Sequence, residues 1–107
     1  MVFEKRGRDR LYIIAEILEI TKDGSLKTQV MYRANLSFAQ LKEYLDFLLR
    51  IDLVKRVKVS GKDVYQATER GLDFLQRYRE IRGLLRLDKP VSEETSMSVQ
   101  VRRTRVA

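Results

Sequence analysis

The side chains of this sequence that are best suited to chemistry are its cations. The 107 residues hold 22 lysines and arginines against 15 acidic residues, a net charge of +7. Guanidinium and ammonium groups bind phosphates, so this excess predicts a polyanionic partner, with nucleic acid ahead of an anionic membrane surface. Cysteine and histidine are absent. Thiolate catalysis and Cys-ligated metal sites are therefore excluded, and the commonest general base is missing, so we expect no enzyme activity, metal or other cofactor.

The excess positive charge lies in three stretches, residues 1–10, 51–67 and 68–87. An arginine-rich arm precedes the first predicted helix, and further cations occupy a predicted hairpin; together they are Arg6, Arg8, Arg10, Lys55, Arg56, Lys58 and Lys62. Such groups suit phosphate contacts. The alternative is that they only keep the chain soluble and prevent edge strands from pairing with other chains.

Three helices are predicted in the first half of the chain to position these groups. Apolar residues at helical spacing predict a helix over 11–22, with Asp9 as its N-cap and Gly24 at its end. A shorter helix follows over 26–34, with Ser25 as its N-cap.

A break over 35–37 separates the second helix from the third. Asn35 tolerates a left-handed backbone, and Ser37 with Gln40 forms a capping box that opens a helix over 38–51. The residues of the three helices that we expect to face the core are Leu11, Ile14, Ala15, Ile17, Leu18, Val30, Met31, Phe38, Leu41, Leu45, Leu48 and Leu49.

After Leu53 the apolar pattern changes from the period of a helix to that of a strand. Strands over 54–59 and 64–67, joined by a turn over 60–63, form a predicted hairpin. Because two strands alone are marginally stable in water, the hairpin must pack on the helices.

A fourth helix is predicted from Glu69 to about Leu87, with Thr68 as its N-cap. Four apolar residues along it have the spacing of a coiled-coil seam: Phe74, Tyr78, Ile81 and Leu85. A small three-helix body does not cover so much apolar surface, so the seam predicts a homodimer interface. The alternative is a monomer whose last helix folds back onto the first.

Taken in order, these elements predict a mainly α fold with a small β-hairpin, a winged helix-turn-helix with a C-terminal dimerisation helix. We divide the chain into a basic N-terminal arm (1–9), the winged helix-turn-helix (10–67), the dimerisation helix (68–88) and a mobile basic tail (89–107). In such a fold the third helix lies in the major groove and the hairpin reaches neighbouring phosphates.

A longer string of residues resembles a known family. Lys27-Thr28-Gln29-Val30-Met31-Tyr32-Arg33-Ala34-Asn35-Leu36-Ser37, followed by Leu41, Tyr44, Leu45 and Leu48, is similar to the signature of archaeal winged-helix DNA-binding proteins of the chromatin-associated and ArnR-like branches. Thr68-Glu69-Arg70-Gly71 is similar to the T-x-x-G that opens the last helix of that family. The resemblance covers about residues 10–87 and implies homodimers joined through the last helix that bind double-stranded DNA, without enzyme activity.

The candidate DNA-binding residues combine these arguments: Arg6, Arg8, Arg10, Lys27, Thr28, Arg33, Ser37, Gln40, Lys42, Lys58 and Lys62. Glu43 and Asp46 would be repelled by phosphates, so we expect the third helix to insert by its N-terminal turn. Gln40 is the best candidate for a base contact, and its alternative role is the capping box itself. Phe47 falls near the polar side of the helix, where we expect a partner surface to cover it.

The predicted function is double-stranded DNA binding by a homodimeric transcription regulator or small chromatin protein, specific in sequence or general. Two alternatives stay open. The first is a protein-interaction adaptor that uses Phe47 and the last helix. The second is an RNA-binding module, although the sequence shows no recognisable set of the stacking aromatics that such modules use. We expect no membrane and no small-molecule substrate as partners. The absence of a long apolar run predicts a cytoplasmic, nucleoid-associated protein, and the arginine-rich, cysteine-free composition hints at a thermophilic source.

Overall fold

The computed structural model describes residues 9–85, which form four helices and a small antiparallel sheet. The elements are α1 (Arg10–Ile20), β1 (Ser25–Leu26), α2 (Lys27–Ala34), α3 (Phe38–Arg50), β2 (Val54–Val59), β3 (Lys62–Ala67) and α4 (Glu69–Leu85). The predicted order of helices and hairpin, and the mainly α class, are confirmed. The predicted end of the last helix at Leu87, most of the arm and the tail lie outside the described residues.

Local hydrogen bonds begin the helices where the sequence predicts. Asp9 accepts the N–H of Tyr12 at 2.8 Å and caps α1. Thr68 Oγ1 accepts the N–H of Gly71 at 3.0 Å in the first turn of α4. Asn35, at φ 55°, takes the left-handed conformation that ends α2.

The prediction that Ser25 caps the second helix is wrong. Ser25 lies in β1, pairs with Tyr65 of β3 and donates its hydroxyl to the carbonyl of Ile20 at 2.9 Å. The N-cap position of α2 is Leu26, whose N–H donates to Oε1 of Gln29 at 2.9 Å. Gln29 therefore satisfies the N–H of the N-cap residue, whereas a serine hydroxyl at the N-cap would have accepted an N–H from within the first turn.

The sheet has the strand order β1-β3-β2. In the hairpin β3 begins at Lys62, so the turn consists of Ser60 and Gly61 alone, both with positive φ. Two consecutive left-handed residues give the turn the twist that a tight hairpin needs. Val54 and Tyr65 are buried, which confirms that the hairpin packs on the rest of the domain.

The core lies within residues 9–76, the described part of the first of two compact units; residues 77–85 are the described part of the second. Its fully buried large side chains are Ile17, Leu18, Val30, Leu41, Leu48 and Val54. Two predicted core residues are exposed instead, Leu11 by 54% and Phe38 by 59%, because each lies in the first turn of its helix. Met31 and Leu49 are half-buried.

Candidate nucleic-acid interface

The N-terminal turn of α3 is held by the predicted capping box. Ser37 Oγ accepts the N–H of Gln40 at 3.1 Å, and Gln40 Oε1 accepts the N–H of Ser37 at 2.9 Å. The capping role of Gln40 is thus confirmed. Both residues are exposed. With the carbonyl committed to the cap, the side-chain NH₂ of Gln40 is the group that remains for donation to a base edge, and that contact stays a prediction.

The start of α2 lies against the start of α3. The ammonium of Lys27, the first residue of α2, is 5.6 Å from the centre of the Phe38 ring, a cation–π contact. Thr28 follows it on the exposed surface, and Arg33 is exposed in the last turn of the same helix. The structure therefore brings Lys27 and the N-terminal turn of α3 together, as the predicted interface requires.

The wing, defined as β2, β3 and their turn, carries one paired and one unpaired lysine. Lys58 lies directly opposite Asp63 across the two strands, and its ammonium donates to Asp63 Oδ1 at 3.0 Å. This hydrogen bond is the largest cause of a lowered pKa of Asp63, and the charges of Lys58, Arg56 and Lys27 act in the same direction, against desolvation. Within residues 9–85 no carboxylate forms an ion pair with Lys62, which follows the turn.

Arg56, a cation of the predicted hairpin, lies opposite the buried Tyr65 in the β2–β3 register. Interaction with the Tyr65 hydroxyl is the largest cause of a raised pKa of Arg56. The carboxylates of Asp63 and Asp46 raise this pKa further. Because Tyr65 lies opposite Arg56 in the β2–β3 register, pairing of the strands would have located this contact, but the sequence alone does not fix the pairing.

The acidic residues of α3 are exposed, as expected, but one of them is compensated. Lys42 donates to Asp46 Oδ2 at 3.1 Å, one helical turn away. Lys42 therefore forms an ion pair with Asp46 in this structure. To make its predicted phosphate contact, Lys42 must leave that ion pair. Glu43 is exposed beside them.

The start of α1, which follows the arm, meets a different part of α3. Arg10, the first residue of α1, has its guanidinium 5.7 Å from the centre of the Tyr44 ring. Arg50 covers the ring of Phe47 at the same distance and leaves Phe47 39% exposed. These four residues and Glu43 line one shallow depression. Arg6 and Arg8 lie outside the described residues, and the expectation that a partner covers Phe47 stays a prediction.

The last two turns of α4 expose apolar side chains. Ile81 and Leu85 of the predicted seam are 54% and 61% exposed, and Leu84, which was not assigned to the seam, is 82% exposed. Tyr78 is half-buried beneath the guanidinium of Arg82, which donates to its hydroxyl at 3.2 Å. Phe74 is half-buried in the first unit.

The part of the chain that the structure describes offers little for other kinds of site. No three acidic residues within 9–85 converge in a way that would hold a metal ion. Among the helices of the same range, none combines the length and the apolar run that crossing a bilayer requires.

Comparison with known proteins places these features in context. The sequence pattern of a family described as winged helix-turn-helix matches residues 7–86. Two proteins of the archaeon Methanocaldococcus jannaschii are similar: the uncharacterized protein MJ0290, 36% identical over 83 residues, and the uncharacterized protein MJ0287, 37% identical over 65 residues. The matches cover 77% and 60% of this chain, and they span 37% and 63% of the lengths of these relatives.

A solved structure shares the fold. Sso10a-2, a DNA-binding protein from Sulfolobus solfataricus, superposes with a TM-score of 0.62 at 22% identity. The match covers 76% of this chain and 88% of that one. At this identity the likeness shows a shared fold.

Proposed function

Because this chain belongs to the winged helix-turn-helix family, we propose that it binds double-stranded DNA as a homodimeric transcription regulator or small chromatin protein. One observation carries the proposal: cations of α2 and of the wing lie beside the exposed start of α3. Lys27 of α2 contacts Phe38, the first residue of α3. The wing lies next to Lys27 in the sheet, because Leu26, the residue before Lys27, pairs with Val64 of β3. Sso10a-2, which shares the fold, is a DNA-binding protein, and this supports the assignment.

In the proposed complex the N-terminal turn of α3 enters the major groove. Gln40 then donates its side-chain NH₂ to a base edge, while Lys27 and Thr28 approach a phosphate beside the groove. Lys62, free of any ion pair within the described residues, contacts a flanking phosphate from the wing. Glu43 lies one turn further along α3, where entry by the N-terminal turn keeps it from the centre of the groove.

The test of DNA binding is a salt series of fluorescence anisotropy with a labelled random duplex. Affinity should fall steeply between about 50 and 200 mM salt, because each phosphate contact releases counterions. Lys62→Ala should weaken binding to all sequences alike and reduce the salt slope by about one. Lys22→Ala is the matched control, since it removes the same charge from a lysine that pairs with Glu19 at the end of α1, and its slope should equal that of the wild type.

Failure to bind at the lowest salt, where electrostatic attraction is strongest, would refute the proposal. The adaptor function would then take its place, with the exposed edge of Phe47 and the end of α4 as contact surfaces. Enrichment of tight binders from a random duplex pool would separate a sequence-specific regulator from a general chromatin protein.

The homodimer in this proposal is supported by the apolar surface at the end of α4. Three of its apolar side chains are more than half exposed: Ile81, Leu84 and Leu85. Sedimentation equilibrium of the full chain should give twice the 12.6 kDa chain mass, and the Ile81→Ser, Leu85→Ser double variant should give the monomer mass. Leu11→Ser is the control, because Leu11 is as exposed as Ile81 but lies on α1. A wild-type monomer would refute this part of the proposal.

A further inference from the structure

Phe38 places an apolar ring at the surface of α3 where a helix of this fold approaches DNA. It is the first residue of α3, between the capping residue Ser37 and the exposed Ala39, and it is 59% exposed. Its position in the apolar stripe of α3 would have predicted burial, but the core begins one turn later, at the fully buried Leu41. A large exposed apolar group at such a point favours contact with a partner.

The surroundings of the ring specify the kind of partner. The ammonium of Lys27 lies over the ring at 5.6 Å and is attracted to its π-face, so the ring has a cation on one side and open surface elsewhere. Leu26, the residue before Lys27, pairs with Val64 of β3, which places the wing near the same point. An apolar ring beside a cation fits a partner that combines negative charge with an apolar group, rather than an apolar protein surface.

The major groove of DNA offers that combination. Among the base edges of the groove, thymine alone carries a methyl group, and the phosphates lie on both sides of it. We propose that Phe38 packs against thymine methyl groups, so that the protein prefers A·T-containing duplexes through their methyl groups and not only through their shape. This inference rests on the proposed DNA binding and adds to it the chemical group that the N-terminal turn of α3 selects.

The test compares two duplexes that differ only in the methyl group. Alternating A·T DNA is matched with the same duplex in which deoxyuridine replaces every thymidine, which keeps the hydrogen-bonding pattern of each base pair. Burial of one methyl-sized apolar group predicts about fourfold tighter binding to the thymine duplex per methyl contacted. In Phe38→Ala this ratio should fall to about one, whereas Phe38→Leu, which keeps an apolar side chain, should retain a preference.

Controls separate the methyl contact from duplex shape and from folding. Lys62→Ala should weaken binding to both duplexes by the same factor and leave the thymine-to-uracil ratio unchanged. Because Phe38 is more than half exposed, Phe38→Ala should unfold at nearly the wild-type temperature.

Three results would overturn the inference, and they have different meanings. Equal, salt-dependent binding of both duplexes by the wild type would exclude the methyl contact and leave DNA binding intact. A thymine preference that persists in Phe38→Ala would show that another residue or the duplex shape, and not Phe38, selects thymine. No binding of either duplex at low salt would mean that the proposed function itself fails.

Discussion

Gly71→Ala should destabilise the protein, although alanine is the better helix former. Gly71 lies in the first turn of α4, where the helix crosses the linker between α3 and β2. A Cβ at Gly71 would collide with the carbonyl oxygen of Leu53 and would approach Leu18 Cδ2 to 3.1 Å. The carbonyl of Leu53 is not free to move, because it accepts the N–H of Thr68 at 3.0 Å.

The size of the effect follows from three contributions. Replacing a glycine inside a helix by alanine gains about 1 kcal/mol. Forcing a methyl group against fixed backbone costs about 2 kcal/mol, and the displaced carbonyl loses the hydrogen bond from Thr68, about 1 kcal/mol more. The net loss for Gly71→Ala is about 2 kcal/mol, which for a domain of this size lowers Tm by about 10 °C.

Thermal and urea unfolding followed by circular dichroism would measure this difference. Gly83→Ala is the matched control in the same helix, since no heavy atom of the described residues lies within 4 Å of its added Cβ. Near the end of the described helix it should gain about 0.5 kcal/mol. If Gly71→Ala raised Tm together with Gly83→Ala, the close approach of α4 to the α3–β2 linker would be refuted.

Four further predictions concern three variants, two in the wing and one at the cap of α3. Asp63→Asn should tighten DNA binding and steepen the salt slope by about one, because it releases Lys58; weaker binding would show instead that the ion pair positions the wing. Since the pKa of Asp63 is lowered, its contribution to stability is present above the ordinary aspartate pKa and disappears as pH falls through the lowered value, so urea stabilities of wild type and Asp63→Asn should converge in acid. Ser37→Ala should lower the free energy of unfolding by about 1 kcal/mol and speed hydrogen exchange at the N–H of Gln40. Ser60→Asn should raise stability by about 0.5 kcal/mol, because asparagine tolerates the left-handed turn position better than serine; no gain would contradict the assigned turn.

The candidate site was predictable from sequence to the extent that its residues act locally. The cap of α3 was found because Ser37 and Gln40 are three residues apart and bond to each other. Thr28 and Arg33, which lie in the string that resembles the winged-helix family, are exposed. The ion pair of Lys58 with Asp63 and the interaction of Arg56 with Tyr65 were not predicted, because both depend on the register between two strands. The charge composition gives the number of lysines but does not show which of them form ion pairs with acidic residues.

What the sequence by itself determined is the order of the four helices and the hairpin, together with several of the residues that begin or end the helices. Asp9, Asn35 and Ser37 act through hydrogen bonds or dihedral angles that span at most four residues, so the local sequence is enough to predict their effect. The same holds for the change from helical to strand period after Leu53.

Only the tertiary structure decided which surfaces those elements present. The two-residue strand β1 forms because Ser25 pairs with Tyr65, which is distant in the chain. Without a partner strand, so short a segment would not be stable in an extended conformation. Phe38 belongs to the apolar stripe of its helix yet is exposed, because the neighbouring helices determine where the core ends. Gly71 is required by a carbonyl that reaches it from another element. Long-range packing settles these points, since it depends on how the elements are placed in space and not on the order of residues within any one of them.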